Sequence, residues 1–94
     1  MTIPFSVRLS VPPHVLIRQI ENESVLLNLQ NECYFGLDEV GTRMWIRLIG
    51  ADSIQAAYEE LLAEYQVDQE RLRRDLRKLI SQLVGSGLLE VIRG

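Results

Sequence analysis

Cys33 and His14 are the residues most suited to nucleophile-and-base chemistry, since an imidazole beside a thiol can deprotonate it. Their settings argue against that use. Cys33 alternates with Phe35 and Leu37 on one side of a short apolar run, where a cysteine behaves as a small hydrophobe, so it is expected to be buried. His14 follows Pro13 at the start of another such run and reads as a solvated edge residue. One cysteine excludes an internal disulfide, and one cysteine with one histidine cannot build a tetrahedral zinc site. The carboxylate pairs Asp38-Glu39 and Glu59-Glu60 read as a helix cap with first-turn charge and as an exposed helix face. No phosphate-cradling GxGxxG or GxxxxGK[ST] occurs. The chain is therefore expected to be no enzyme and to carry no metal and no cofactor.

Two features remain that could bind a macromolecule. The first is the basic set Arg71, Arg73, Arg74, Arg77 and Lys78, on the last of the helices inferred below, which would be the groove-entering helix of a helix-turn-helix. These residues spread over most of the polar arc with Asp68, Glu70 and Asp75 interleaved, so a solvated, self-paired face is the favoured reading. Ten Lys and Arg against 13 Asp and Glu give a net charge of −3, which weakens any case for phosphate backbones or anionic membranes. The second feature is the run 33–37, last in a series of strands and so an edge with one row of free amides and carbonyls. It has no proline and no lysine to blunt it, and it carries Tyr34 and Phe35. Such an edge either accepts an extended peptide by β-augmentation or is covered by the last helix or the N-terminal arm.

The elements that would position these residues follow from composition and pattern. At 94 residues, 47% hydrophobic and 24% charged, the chain closes one small core. Residues 1–13 hold all three prolines and read as an extended arm rather than an element, and 14–92 as the folded domain. Three β-rich runs, 14–20, 25–29 and 33–37, form an antiparallel meander, with Val25, Leu27 and Leu29 alternating onto the core face of the second. Asp38, Ser53 and Asp68 cap three helices, spanning 38–49, 54–65 and Asp68 to Gly85, and the tail 88–92 returns as a strand-like segment. This is an α+β domain, winged helix-turn-helix-like, with a three-stranded antiparallel sheet followed by three helices. No run reaches the ~20 apolar residues of a membrane span and the N-terminus lacks signal-peptide order, so a cytoplasmic protein is expected.

The segment Asn28 to Trp45, with Tyr34-Phe35-Gly36-Leu37-Asp38 followed by Gly41-Thr42-Arg43-Met44-Trp45, resembles the strand-to-helix segment of the PqqD-like proteins, most closely the lasso-peptide biosynthesis B1 proteins. The likeness extends over about residues 14–92, through the closing Leu83-Val84-Gly85-Ser86-Gly87-Leu88-Leu89. It implies a non-catalytic precursor-peptide recognition element that binds the leader of a ribosomally made peptide as an added strand. The leader would lie on edge strand 33–37, in a groove walled by the third helix. It would be presented to a separate leader peptidase, a cysteine protease, and to a cyclase, with no nucleic acid and no membrane involved. The residues expected to meet it are Glu32, Cys33, Tyr34, Phe35 and Gly36 on the strand and Leu72, Asp75, Leu76, Lys78 and Leu79 on the helix, though Leu76 and Leu79 suit the core equally. Asp75 and Lys78 flank the apolar stripe on one side, Arg73 and Arg77 on the other, and the pattern does not select between them. Phe35→Pro would weaken binding if the Phe35 amide points outward. The other classes weighed are a winged-helix DNA-binding regulator using Arg71, Arg74 and Arg77, and an adaptor that docks a partner enzyme through its second and third helices.

Overall fold

A computed structural model describes residues 3–92. The chain runs β1 (Arg8–Ser10), β2 (Val15–Ile20), β3 (Glu23–Asn28), β4 (Tyr34–Leu37), α1 (Glu39–Gly50), α2 (Ile54–Glu64), α3 (Gln69–Gly85) and β5 (Glu90–Ile92). β2, β3 and β4 form an antiparallel sheet in that order, and β1 pairs with β5 in a separate two-stranded ribbon. The helices begin where the cap residues stand. Asp38, Ser53 and Asp68 accept hydrogen bonds from the amides of Gly41, Ala56 and Arg71 at 2.7, 3.1 and 3.0 Å, satisfying first-turn donors that would otherwise lack partners. Their apolar stripes meet one face of the sheet around Trp45, Leu48, Leu61, Leu76, Ile80 and Leu83, all essentially inaccessible.

Three details differ from the sequence reading. The arm is partly an element. Ile3, Phe5, Val7 and Leu9 alternate into the core, Leu9 pairs with Val91, and the carbonyls of Val7 and Phe5 accept the amides of Ile54 and Gln55 at 2.9 and 2.8 Å. Pro4 falls within this stretch and Pro12 and Pro13 follow it, but none lies in β1, whose amides stay free to pair; Met1 and Thr2 lie outside the described residues.

The buried face of β3 is Ser24, Leu26 and Asn28, while Val25 and Leu29 face solvent. Two polar residues can sit inside because both are satisfied. The Ser24 hydroxyl lies 2.8 Å from that of Thr42, which in turn donates to the Leu37 carbonyl at 3.4 Å, and Asn28 uses both ends of its amide. Cys33 is the third difference: it precedes β4 and is exposed rather than buried.

Arg43 and Arg47 of α1 both reach Glu64 at the end of α2 and fasten the two helices on the surface. The hydrogen bond from Arg43, reinforced by its charge, holds the Glu64 carboxyl below its ordinary value of 4.5. Because the folded-state value is the lower one, the pair's contribution is complete above the ordinary value and is lost as pH falls through the folded one. Glu64→Gln is accordingly expected to flatten the acid limb of a Tm-against-pH curve, the two proteins converging at the acid end. Parallel curves across that range would show that the ion pair contributes nothing.

Candidate peptide-binding edge and groove

The register fixes which main-chain groups of β4 are free. Asn28 donates from its amide to the Cys33 carbonyl at 2.8 Å, in line with the pairs Leu26↔Phe35 and Ser24↔Leu37. Hydrogen-bonded pairs alternate along an antiparallel ladder, so Phe35 and Leu37 turn their main-chain groups toward β3 and Tyr34 and Gly36 turn theirs away. The β2 side agrees. Leu29 donates to the His14 carbonyl at 2.9 Å, which assigns the odd-numbered residues of β3 to β2 and the even-numbered ones to β4. The outer edge of β4 therefore offers the amides and carbonyls of Tyr34 and Gly36. β3 is the only strand beside β4 among the described residues, and β1, which belongs to the arm, pairs with β5 instead. The N-terminal arm therefore does not cover this edge as a strand. The Phe35 amide points inward, so a proline there would break the ladder to β3 rather than blunt the edge.

Side chains alternate in the same register. Tyr34 is 77% exposed, Gly36 leaves open space on its side of the sheet, and Phe35 and Leu37 pack inward. The outer face of the sheet also exposes Leu16, Ile20 and Val25, and Leu29 just beyond β3 is exposed as well.

Beyond β4 the chain enters α1 after Asp38 alone, and there an open cavity of about 370 Å³ lies between α1 and α3. Its walls are Val40 and Met44 of α1, the connection 65–68, and Arg71, Leu72 and Asp75 of α3. The groove expected between 33–37 and the third helix is not present as one cavity: the cavity on α3 is shared with α1 and the connection 65–68, and no β4 residue lines it. The two flanks of α3 meet different neighbours. Arg73 lies over the rings of Phe5 and Tyr58, at 4.5 and 5.2 Å from the ring centres, and Arg77 over Phe5 at 5.5 Å. These cation–π contacts turn that flank toward the arm and leave the Asp75 side facing α1. They also occupy Arg77, one of the residues on which duplex binding would depend.

Of the expected site residues, Glu32, Cys33, Tyr34 and Gly36 are exposed at the edge and Phe35 is half-buried beneath it. Leu72 and Asp75 line the cavity, Lys78 is exposed farther along α3, and Leu79 is half-buried. Leu76 is 0% exposed and belongs to the core, out of reach of any ligand. Val40 and Met44 also line the cavity and were not among the expected site residues, because an apolar residue on a helix that packs on a sheet carries no local sign of staying accessible; Val40 is 48% exposed. Among the described residues no group of three His, Cys, Asp or Glu side chains is placed to hold a metal ion, and no helix is long and apolar enough to cross a membrane.

No curated protein sequence matches the chain. Among solved structures, TbiB1 in complex with the TbiA(beta) leader peptide is 36% identical, superimposes with a TM-score of 0.80, and covers 90% of this chain and 99% of its own. A lasso peptide synthetase B1 complexed with the leader peptide shares the fold at 23% identity and a TM-score of 0.77, covering 88% and 98% of the two chains. Residues 23–89, which hold the sheet's free edge, the cavity and all three helices, match the family model of coenzyme PQQ synthesis protein D, and the chain belongs to that PqqD family.

Proposed function

We propose that this protein binds the leader region of a ribosomally synthesised precursor peptide of the lasso type, without catalysing its modification. The leader adds as a strand to the outer edge of β4 and extends toward the cavity between α1 and α3. The observation that carries this reading is the edge itself: two amides and two carbonyls, on Tyr34 and Gly36, turned away from β3 and left without a strand partner among the described residues. Each main-chain bond to a guest contributes a net ~1 kcal/mol. The cavity adds apolar burial at roughly 25 cal/mol per Å², which must outweigh the cost of ordering a disordered leader. The TbiB1 protein, solved with its leader peptide, is the relative that supports carrying this role to the chain. The bound leader would then be presented to a separate leader peptidase, a cysteine protease, and to a cyclase.

The test is fluorescence anisotropy with a labelled leader segment from the precursor gene adjoining this one, beside a scrambled leader and a DNA duplex. Saturable binding of the leader alone is expected. Binding of the duplex alone, falling steeply with salt, would replace this reading with the regulator. Asp75 is exposed on the open flank of α3 and lines the cavity. Asp75→Ala is therefore expected to weaken leader binding by about threefold to tenfold, as loss of one charge-assisted contact at a wet rim would, with helix content unchanged. An unaltered binding curve would remove Asp75 from the site.

A further inference from the structure

The turn into the proposed edge, β4, is joined by a pair of asparagines to the end of α3, the helix whose other end lines the cavity. Asn28 is 2% exposed, at the end of β3. Its side-chain NH2 donates to the carbonyls of Gly87 and Ser86 at 3.0 and 3.3 Å, immediately beyond the last turn of α3. Its side-chain oxygen accepts the amides of Gln30 and Asn31 at 2.9 and 3.4 Å and so shapes the turn into β4. Its own amide and carbonyl bond Cys33 and Glu32 across that turn, both at 2.8 Å. Asn31 repeats the pattern, accepting the Cys33 amide at 2.9 Å and donating to the Ser86 carbonyl at 3.3 Å. Gly87 completes the fit, with φ at +72° and no room for a side chain: a Cβ there would lie 2.6 Å from the Asn28 nitrogen.

We infer that Asn28 and Asn31 are positioning residues for leader binding. They form a clasp that ties the start of β4 to the end of α3 and thereby sets the spacing of edge and cavity. This inference rests on the proposed function. A guest that spans the β4 edge and the cavity on α3 contacts both elements, and van der Waals contact is steep: a gap of 0.5–1 Å forfeits about a quarter to a half of the attraction. One buried amide serves both elements, so losing its donor frees α3 from the turn while the turn keeps its acceptor.

Asn28→Asp makes that separation. The shape and the acceptor for Gln30 and Asn31 are retained, while the donor to Ser86 and Gly87 becomes an oxygen facing two carbonyls. The experiment measures anisotropy of the labelled leader on the full chain, comparing wild type, Asn28→Asp, Asn31→Ala and a control, Gln55→Ala, which removes an exposed side-chain hydrogen bond to Glu59 on α2, away from both the clasp and the cavity. Near-UV circular dichroism of Trp45 fixes the folded fraction of each. Where that fraction exceeds about 99%, global destabilisation cannot move Kd by more than about 1%, so any larger change reports the geometry of the folded site. The expected result is a loss of about tenfold for Asn28→Asp and about threefold for Asn31→Ala, with Gln55→Ala at the wild-type value. Wild-type affinity in folded Asn28→Asp overturns the clasp. If that variant does not fold, wild-type affinity in Asn31→Ala, whose side chain is exposed, overturns it instead. Failure of the wild type itself to bind any leader would overturn the function on which the clasp depends.

Discussion

Gly36→Pro is expected to weaken leader binding by about 30- to 150-fold, the consequence of about 2–3 kcal/mol for one lost bond and one guest carbonyl left unpaired. The ladder parity makes this variant specific. The Gly36 amide points outward, so its removal costs β3 nothing, and glycine has no side chain whose loss could confuse the result. Proline is tolerated on an edge strand whose N–H faces solvent. Gly36→Ala is the control. It keeps the amide, meets nothing within 4 Å, and should bind within about twofold of wild type, as surface substitutions away from special features do. Phe35→Pro would remove an inward amide and break the ladder, lowering Tm as well as affinity, and so would not isolate the edge. Equal affinity for Gly36→Pro and Gly36→Ala, measured on folded proteins, would rule out strand addition at this edge.

The helices were legible because their signals are local. A cap side chain and an apolar stripe lie within one element, and Asp38, Ser53 and Asp68 each occupy the cap position their residue type implies. The sheet was legible in number and order but not in facing. Val25, Leu27 and Leu29 look like a core face on hydrophobicity alone, yet Ser24 and Asn28 are buried because partners at Thr42 and Ser86-Gly87, distant in sequence, satisfy them. Pairing of that kind leaves no periodic trace. Cys33 followed the same misjudgement, since a small apolar residue at a turn has no neighbour to bury it. The strand in the arm did leave a trace in the spacing of Ile3, Phe5, Val7 and Leu9, which the nearby prolines masked. At the site, the free edge could be anticipated from strand order. The choice of α3 flank could not, because it depends on Phe5 and Tyr58 meeting Arg73 from other elements.

The same distinction selects the variant that tests the cavity. Leu72 and Met44 line it but are 5% and 7% exposed, so changing either disturbs the core along with the site. Val40 is exposed at the mouth and stands in the first turn of α1, two residues after the Asp38 cap. Val40→Asp is therefore a substitution whose effects on folding and on binding have opposite signs. A carboxylate in the first turn meets the positive end of the helix and should leave Tm unchanged or raise it, the favourable interaction being about 0.3–1 kcal/mol. In the bound state the same carboxylate replaces an apolar contact of about 1–2 kcal/mol and must be desolvated beside Asp68 and Asp75, which together project a loss of about 10- to 100-fold in affinity. Val40→Leu, which keeps the apolar surface, is expected to bind as wild type does. A peptide confined to the β4 edge would not register either change. Undiminished binding by Val40→Asp would therefore leave the strand addition standing and withdraw the cavity from the site.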